Sequence, residues 1–246
     1  MDERTVDLAG LRTTVVGDPA SSTFVMALLH GFAMEPADLA PFAHSLSLPG
    51  LFLFPRGPLA AEIEPGIERG RAWWRIDPVA RAASLARGPR DFSGEHPPDL
   101  GAARATLGRW LDAIGTLAPG VDTLPLILGG FSQGGMLACD TLLRAPRPLA
   151  GLALLSASRI AFDEWPPLLA RWGHAAFPPP PVMVSHGRVD ADLSFEAGVA
   201  LRDCLLAVGA DVSWVPFEQG HEIPLVVWRQ LRRFLQTAAA GPHPRT

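Results

Sequence analysis

The chain has 246 residues, 48% of them apolar and 19% charged, with a formal net charge of −4, which is the composition of a globular protein with a large buried core. No acidic or basic block dominates, so the charge pattern does not indicate a nucleic acid or an anionic membrane surface as a partner. The N-terminus is charged, and apolar runs such as residues 152–155 are too short to span a bilayer, so neither a secretory signal nor integral membrane association is expected.

Short apolar runs typical of strands alternate with longer amphipathic stretches along the chain. Strands are predicted over residues 11–16, 24–29, 51–54, 124–128, 149–155, 181–185 and 211–217, and helices over residues 99–117, 133–144, 195–208 and 225–238. Apolar strands that take turns with helices indicate an α/β fold with a mostly parallel sheet covered on both faces. The short connection through Asp18-Pro19 favours an antiparallel hairpin of the first two strands at one edge.

No internal repeat or linker divides the chain, so a single domain is predicted over residues 1–246, with residues 1–10 and 239–246 as flexible tails. Two stretches lack a clear period. Residues 55–98 are expected to form long loops with short helical turns. Residues 156–181 contain a predicted short helix around residues 168–172 and are too few for more than a modest flap.

The two cysteines, Cys139 and Cys204, each lie among Leu and Ala, as buried free thiols usually do. Their number and spacing predict neither a zinc site nor a disulfide framework, although the sequence leaves a single bridge between them open. The cytoplasm is therefore the expected compartment.

The segment Gly130-Phe131-Ser132-Gln133-Gly134 has the pattern Gly-x-Ser-x-Gly. It follows a predicted strand and opens a predicted helix, which is the context of a nucleophile elbow. A serine at such a turn adopts a strained backbone, and side chains at the flanking glycines would collide across it. The helix N-terminus would also favour a developing oxyanion. Ser132 is therefore predicted to be a nucleophile; the alternative is a glycine-rich turn without chemistry.

A serine hydroxyl is a weak nucleophile without a base, and the chain has seven histidines. His221 follows the last predicted strand directly, so its loop reaches the sheet edge where Ser132 emerges. His30 and His186 each end a strand and precede Gly, and both are expected to tie loop backbone together. His221 is therefore the predicted general base, and a surface histidine is the alternative.

The base needs an acid that fixes its tautomer. Asp190 follows the predicted strand over residues 181–185, and the chain order Ser132, Asp190, His221 is the order used by hydrolases with a nucleophile elbow. Asp192 is the rival in the same loop, and either aspartate could instead cap the helix that starts near Phe195.

The oxyanion hole is expected to combine the backbone N–H of Gln133 with one from a loop near the N-terminus. Residues 28–33 form a buried strand that ends in a turn containing Gly31, which makes the N–H of Phe32 the candidate. Backbone donors can be aimed without reorganising during the reaction.

Trp73, Trp74 and Met34 are candidates for the walls of a substrate pocket, since aromatic walls provide large apolar contact area. The two tryptophans could equally be core or loop-anchoring residues. Arg75 and Arg188 could attract an anionic substrate group, although surface arginines are common.

Four segments together resemble the phospholipase/carboxylesterase family of the α/β-hydrolase superfamily, which includes small bacterial esterases and acyl-protein thioesterases. They are His30-Gly31 with Asp38-Leu39, Gly130-Phe131-Ser132-Gln133-Gly134-Gly135, His186-Gly187-Arg188-Val189-Asp190, and Gly220-His221-Glu222-Ile223. Phe54-Pro55-Arg56-Gly57-Pro58 and Arg71-Ala72-Trp73-Trp74 are similar to the family's loop after the third strand.

The resemblance implies a single-domain α/β-hydrolase fold with a triad of Ser132, Asp190 and His221 and an oxyanion hole of Phe32 and Gln133. It also makes a homodimer plausible. The sequence departs from the family in two places beside the expected pocket. Ala191-Asp192-Leu193-Ser194 stands where the family usually has a valine and a proline, and residues 156–181 exceed the family's minimal connection.

The sequence thus predicts a serine hydrolase that cleaves carboxylic esters of small to medium acyl chain through an acyl-enzyme, with a small-molecule ester or thioester as partner. It needs no metal and no organic cofactor. A thioesterase or a lysophospholipase with the same triad is the alternative among enzymes, and a peptidase or lactonase stays open. The alternative of another class is a catalytically silent relative that binds a small ligand or partner.

Overall fold

The computed structural model describes residues 2–172 and 178–241. Within them, eight strands form one sheet in the order β1-β2-β4-β3-β7-β8-β9-β10, and two further strands, β5 and β6, form a separate hairpin. The ten strands are β1 Glu3–Leu8, β2 Leu11–Val16, β3 Phe24–Leu29, β4 Gly50–Pro55, β5 Leu59–Glu64, β6 Ile67–Ala72, β7 Leu126–Phe131, β8 Gly151–Leu155, β9 Val182–Gly187 and β10 Val212–Phe217.

Seven α-helices of the described ranges connect and cover these strands. They are α1 Ala40–Leu46, α2 Pro78–Leu85, α3 Leu100–Ala113, α4 Gln133–Arg144, α5 Trp165–Trp172, α6 Phe195–Ala207 and α7 Leu225–Ala239. The predicted α/β class with a mostly parallel sheet is confirmed, because in the eight-stranded sheet the six neighbouring strands β4, β3, β7, β8, β9 and β10 all pair parallel. No helix in the described part of the chain is long and apolar enough to cross a membrane.

The antiparallel edge differs from the prediction. β2 pairs with β1 and with β4, both antiparallel, so the expected hairpin of residues 11–16 and 24–29 is wrong. β4 lies between β2 and β3, pairing antiparallel with the first and parallel with the second. Every residue of β4 is buried in this position. The flexible tail expected over residues 1–10 is likewise replaced by β1, whose residues pair with β2 along their whole length. At the other end, residues 242–246 of the second predicted tail lie outside the described residues.

The apolar strands do not alternate with polar residues because both of their faces are covered. In β3, Val25, Ala27 and Leu29 pack into the core beneath α3, α4, α5 and α6, whereas the residues between them pack beneath α1 and α7. Every residue of β3 is therefore buried. Burial of apolar surface stabilises a fold by about 25 cal/mol per Å². The sheet is therefore a rigid support for the loops at its edge.

Residues 55–98 contain more regular structure than predicted, namely the β5–β6 hairpin and α2. The helix expected around residues 168–172 begins earlier, at Trp165. Its Nε1–H donates to Oδ1 of the fully buried Asp140 on α4 at 2.8 Å, which ties α5 to the body of the protein. Of the predicted flap, residues 173–177 lie outside the described residues.

Candidate active site

A cavity of about 470 Å³ opens where the loops after several parallel strands meet. Ser132 follows β7, Phe32 lies in the loop after β3, and His221 lies in the loop after β10; all three line this cavity. Parallel strands bring the loops at their carboxyl ends to one edge of the sheet. Residues far apart in sequence are thereby brought into one site.

Ser132 occupies the strained backbone expected of an elbow, with φ of 52° and ψ of −119° at the start of α4. A Cβ at Gly134 would lie 2.6 Å from the carbonyl oxygens of both Leu29 and His30, and one at Gly130 would collide with the backbone of Gly134. The turn therefore requires both glycines. The backbone N–H of Ser132 donates to the carbonyl of Leu155 at 2.8 Å, which fixes the turn.

The side chains of Ser132, His221 and Asp190 form one hydrogen-bonded chain. Oγ of Ser132 lies 2.9 Å from Nε2 of His221, and Nδ1 of His221 lies 2.7 Å from Oδ2 of Asp190. With Nδ1 protonated, the imidazole donates to the carboxylate and accepts from the serine hydroxyl. This is the arrangement in which a histidine can remove the serine proton.

The loop after β9 fixes the orientation of Asp190. Its Oδ1 accepts hydrogen bonds from the backbone N–H groups of Asp192 and Leu193, each at 2.9 Å, so Oδ2 is left for His221. The carboxylate is buried, at 3% exposure. The rival Asp192 instead contacts Arg81 and Arg90, and neither aspartate caps α6, whose N-cap is Ser194.

His30 and His186 are structural, as the sequence predicted. Burial lowers the pKa of His30 to about 4, so its ring is neutral; Nε2 accepts from the N–H of Gly57 at 2.9 Å, and Nδ1 donates to the carbonyl of Gly31. Burial also lowers the pKa of His186, whose Nε2 lies 3.2 Å from the carbonyl of Leu193. The two rings therefore hold the loops that carry Phe32 and Asp190.

The loop around Phe32 is held by backbone hydrogen bonds on its far side. Ala33 donates to the carbonyl of Arg71 and Arg71 donates to that of Met34, both at 2.9 Å, which ties the loop to β6. Among the described residues, the N–H of Phe32 and that of Gln133 have no acceptor. Two donors at the cavity wall are thus free to bind an oxyanion.

The side chain of Gln133 has a role that sequence reasoning missed. It is buried, and Oε1 accepts from the N–H of Trp73 while Nε2 donates to the carbonyl of Trp74, both at 2.9 Å. These bonds pin the Trp73-Trp74 segment against the start of α4. The only signal in the sequence was the resemblance of the elbow to the family's Phe-Ser-Gln-Gly-Gly.

Replacement of Gln133 by leucine is expected to lower the free energy of unfolding by about 2–6 kcal/mol, because two buried backbone groups lose their partners at about 1–3 kcal/mol each. Urea denaturation measures the change. The exposed Gln236→Leu is the matched control and should shift stability by less than about 0.5 kcal/mol. An equally small shift for Gln133→Leu would contradict this role.

The two tryptophans predicted to line the pocket lie in different places. Trp74 and Met34 line the cavity, but Trp73 does not. Trp73 is buried and stacked on His30, and its Nε1–H donates to the carbonyl of His30 at 2.9 Å, so it is a core residue.

The arginines predicted to attract an anion lie outside this cavity. Arg75 pairs with Asp99, and Arg188 pairs with Glu218. The structure places two other arginines in the wall, Arg81 and Arg90. They lie in the stretch of residues 55–98 that showed no clear period, so sequence reasoning did not find them.

Among residues 2–172 and 178–241, no group of three or more His, Cys, Asp or Glu side chains could hold a metal ion. The described residues of the predicted flap, 156–172 and 178–181, contribute nothing to the cavity wall.

Comparison with known proteins gave one family and many similar structures. The sequence model of the phospholipase/carboxylesterase family matches residues 14–239. Among solved structures, a carboxylesterase from Mesorhizobium loti superposes with a TM-score of 0.72 at 21% identity, covering 98% of this chain and 100% of the other. Acyl-protein thioesterase 2 from Zea mays gives 0.70 at 19% identity, covering 93% and 99%.

Esterase PE8 gives a TM-score of 0.66 at 23% identity, covering 92% of this chain and 98% of the other. These identities are low, so the three structures show that the fold is shared. The family match rests on the sequence itself and spans the elbow, the loop of Asp190 and the loop of His221.

Proposed function

The chain belongs to the phospholipase/carboxylesterase family and is an ester-hydrolysing serine hydrolase; we propose that it cleaves carboxylic esters of small to medium acyl chain with Ser132, His221 and Asp190 as its catalytic triad. The observation that carries the assignment of residues is the unbroken hydrogen-bonded chain from Oγ of Ser132 through His221 to Asp190, with separations of 2.9 and 2.7 Å. Such a chain is recognised by its geometry and roles.

In the first half of the reaction, Oγ of Ser132 attacks the ester carbonyl while Nε2 of His221 takes the hydroxyl proton. The negative charge that develops on the carbonyl oxygen is bound by the N–H groups of Phe32 and Gln133. The imidazolium is stabilised by Asp190, and it then protonates the leaving alkoxide as the tetrahedral intermediate collapses. An acyl-enzyme on Ser132 and a free alcohol result.

Water removes the acyl group by the same route. His221 takes a proton from the water as it attacks the acyl carbonyl, the same two N–H groups bind the oxyanion, and the proton returns to Oγ of Ser132. Every step uses groups of the chain itself and water, so neither a metal nor an organic cofactor enters the scheme.

The size and lining of the cavity support acyl chains of small to medium length. A volume of about 470 Å³ lies within the usual range for small-molecule pockets. The part of the wall that belongs to the core beneath α1 and α7 is apolar, and comprises Met34, Leu39, Phe42, Phe131 and Ile223. Each buried methylene gains about 0.8 kcal/mol, so this wall favours an alkyl chain. The volume of the cavity limits the length of that chain.

Titration with a fluorophosphonate is the direct test. We expect one equivalent per chain to abolish hydrolysis of p-nitrophenyl butyrate, because the activated Oγ of Ser132 attacks phosphorus as it attacks a carbonyl. Peptide mass mapping should locate the label on Ser132, and Ser45→Ala, an exposed serine outside the site, should label and react as wild type does. Hydrolysis without labelling of Ser132 would contradict the proposal.

A thioesterase activity of the same site is the second candidate, supported by the similarity to acyl-protein thioesterase 2 from Zea mays. Pairs of oxyester and thioester with the same acyl group, run from acetyl to palmitoyl, separate the two, since they differ only in the leaving atom. A location in the cytoplasm and assembly as a homodimer remain predictions from the sequence.

A further inference from the structure

One part of the cavity wall carries charge that the reaction scheme does not use. Arg81 on α2 and Arg90 in the segment that follows line the cavity together with Asp192, and the same cavity contains Ser132 and His221. Arg81 Nη2 donates to Oδ2 of Asp192 at 2.8 Å, and Arg90 Nη2 donates to Oδ1. One carboxylate thus lies between two guanidinium groups.

The backbone fixes this cluster relative to the triad. Arg90 donates its N–H to the carbonyl of Asp192, and Ser194 donates to the carbonyl of Arg90, both at 2.9 Å. The N–H of Asp192 in turn donates to Oδ1 of Asp190. Aromatic rings support both guanidinium groups, with Arg81 over Phe32 and Arg90 over Phe92. The cluster is therefore held in place before a substrate arrives.

The cluster carries a net charge of about +1. Burial alone would raise the pKa of the Asp192 carboxyl, but the hydrogen bond and charge of Arg90, with further positive charge from Arg81, lower it below its ordinary value. Asp192 is therefore ionised and neutralises one of the two arginines. The Nε–H groups of both arginines are buried and have no hydrogen-bond partner among the described residues, so the donors outnumber their acceptors.

The cavity wall carries two other carboxylates, which belong to other segments of the chain. Asp38 and Glu222 are exposed, whereas the side chain of Arg90 is 11% exposed and that of Asp192 is 22% exposed. Asp38 also has a partner, because its Oδ2 accepts from the N–H of Glu35 at 2.8 Å. An anion is therefore attracted to the arginine side of the cavity, where water screens charge less than at the exposed rim.

There is room for a substrate group on this side. A second cavity of about 480 Å³ lies next to the first, and Arg81, Arg90, Trp74, Ile76 and Phe92 line both. The two arginines thus form part of the boundary between the cavities. A substrate group that reaches from the first cavity into the second would pass the residues that line both, and so come near these guanidinium groups.

We propose that Arg81 and Arg90, held apart by Asp192, bind a carboxylate of the substrate, so that the preferred substrates are esters with a negative charge on the acyl or the alcohol part. This inference rests on the proposed esterase function of the same cavity. The net charge of the cluster matches a single carboxylate, and planar guanidinium groups suit carboxylate geometry.

Two pairs of probe esters test the inference. In the first pair, p-nitrophenyl hemiglutarate is compared with its neutral isostere, in which an isopropyl group replaces the carboxylate. In the second, the acetate ester of p-hydroxybenzoate is compared with that of p-isopropylphenol. For at least one pair, we expect wild type to show the higher kcat/KM for the anionic member after correction for the intrinsic rate of alkaline hydrolysis.

The variants are Arg81→Met and Arg90→Met, with Arg188→Met as the matched control, since Arg188 lies outside both cavities and pairs with Glu218. In either Arg81→Met or Arg90→Met, the ratio of anionic to neutral kcat/KM should fall by at least about tenfold, the size expected for one charge-assisted hydrogen bond. Arg188→Met should leave the ratio as in wild type. Arg81→Lys, which keeps the charge, should retain part of the preference.

The outcomes separate this inference from the proposed function. If the two arginines only clamp the loop of Asp190, both esters of a pair lose rate equally and the ratio stays constant, which overturns the inference alone. The same holds if wild type shows no preference in either pair. Failure of wild type to hydrolyse any of the four esters would overturn the proposed function itself. If Arg90→Met does not fold, the more exposed Arg81 supplies the test.

Discussion

Replacement of Ser132 by alanine is expected to lower kcat for p-nitrophenyl butyrate by about 10⁵–10⁶-fold, which is the loss found when the nucleophile of a serine hydrolase is removed. The reason is that His221 and Asp190 act only through the hydroxyl that lies 2.9 Å from Nε2 of His221. Without Oγ no acyl-enzyme can form, and the remaining activity comes from binding and from the N–H groups that stabilise the oxyanion.

Steady-state kinetics and circular dichroism of wild type and variant give the test. The variant should fold as wild type does, because the N–H of Ser132, which donates to the carbonyl of Leu155, is kept. His221→Ala in the Ser132→Ala background should cost little more, since residues that act as one unit are strongly non-additive. Turnover that is unchanged in Ser132→Ala would favour the alternative that this cavity is catalytically silent and binds a ligand or partner. The observed hydrolysis would then require another site.

The meeting of Ser132, Asp190 and His221, which we propose as the triad, could be predicted because it depends on local signals and on one rule of sheet topology. The elbow is readable from the order strand, Gly-x-Ser-x-Gly, helix. The loops of Asp190 and His221 follow predicted strands, and parallel strands bring such loops to one edge. The structure places all three side chains in contact there.

The glycines show how a correct prediction of an element can miss its end. The predicted strand ends at residue 128, before Gly129-Gly130, and glycine in the interior of a strand weakens it. In the structure β7 continues to Phe131. The adjacent β8 comes so close that a Cβ at Gly129 would lie 2.9 Å from the carbonyl oxygen of Ala153, so only glycine fits there. Glycine here permits close approach of backbones, which only the three-dimensional neighbours reveal.

The arginine wall could not be predicted because it depends on contacts between distant segments. Asp192 lies 111 residues from Arg81 and 102 from Arg90 along the chain. Neither arginine belongs to a motif, and the hydrophobic period that identifies a core helix is absent around them. The one available signal was Asp192 itself, which departs from the family pattern in the loop of Asp190.

Asp190→Asn is expected to lower kcat by about 10⁴-fold with little effect on the fold, as the same change does in another Ser-His-Asp hydrolase. The carboxylate accepts from Nδ1–H of His221 at 2.7 Å and so keeps Nε2 unprotonated. An asparagine amide can turn its NH₂ group toward Nδ1, which then accepts, and the proton moves to Nε2. The imidazole in that tautomer cannot remove the proton of Ser132.

Asp192→Asn separates this role from that of the rival aspartate. Its carboxylate contacts Arg81 and Arg90 and does not contact His221, so its effect on a neutral ester should be less than about tenfold, consistent with a lost ion pair at a half-buried position. The exposed Asp122→Asn is the matched control for the mutation type. Equal losses for Asp190→Asn and Asp192→Asn would show that the loop acts as one unit, and that the hydrogen bond between Asp190 and His221 does not by itself set the tautomer.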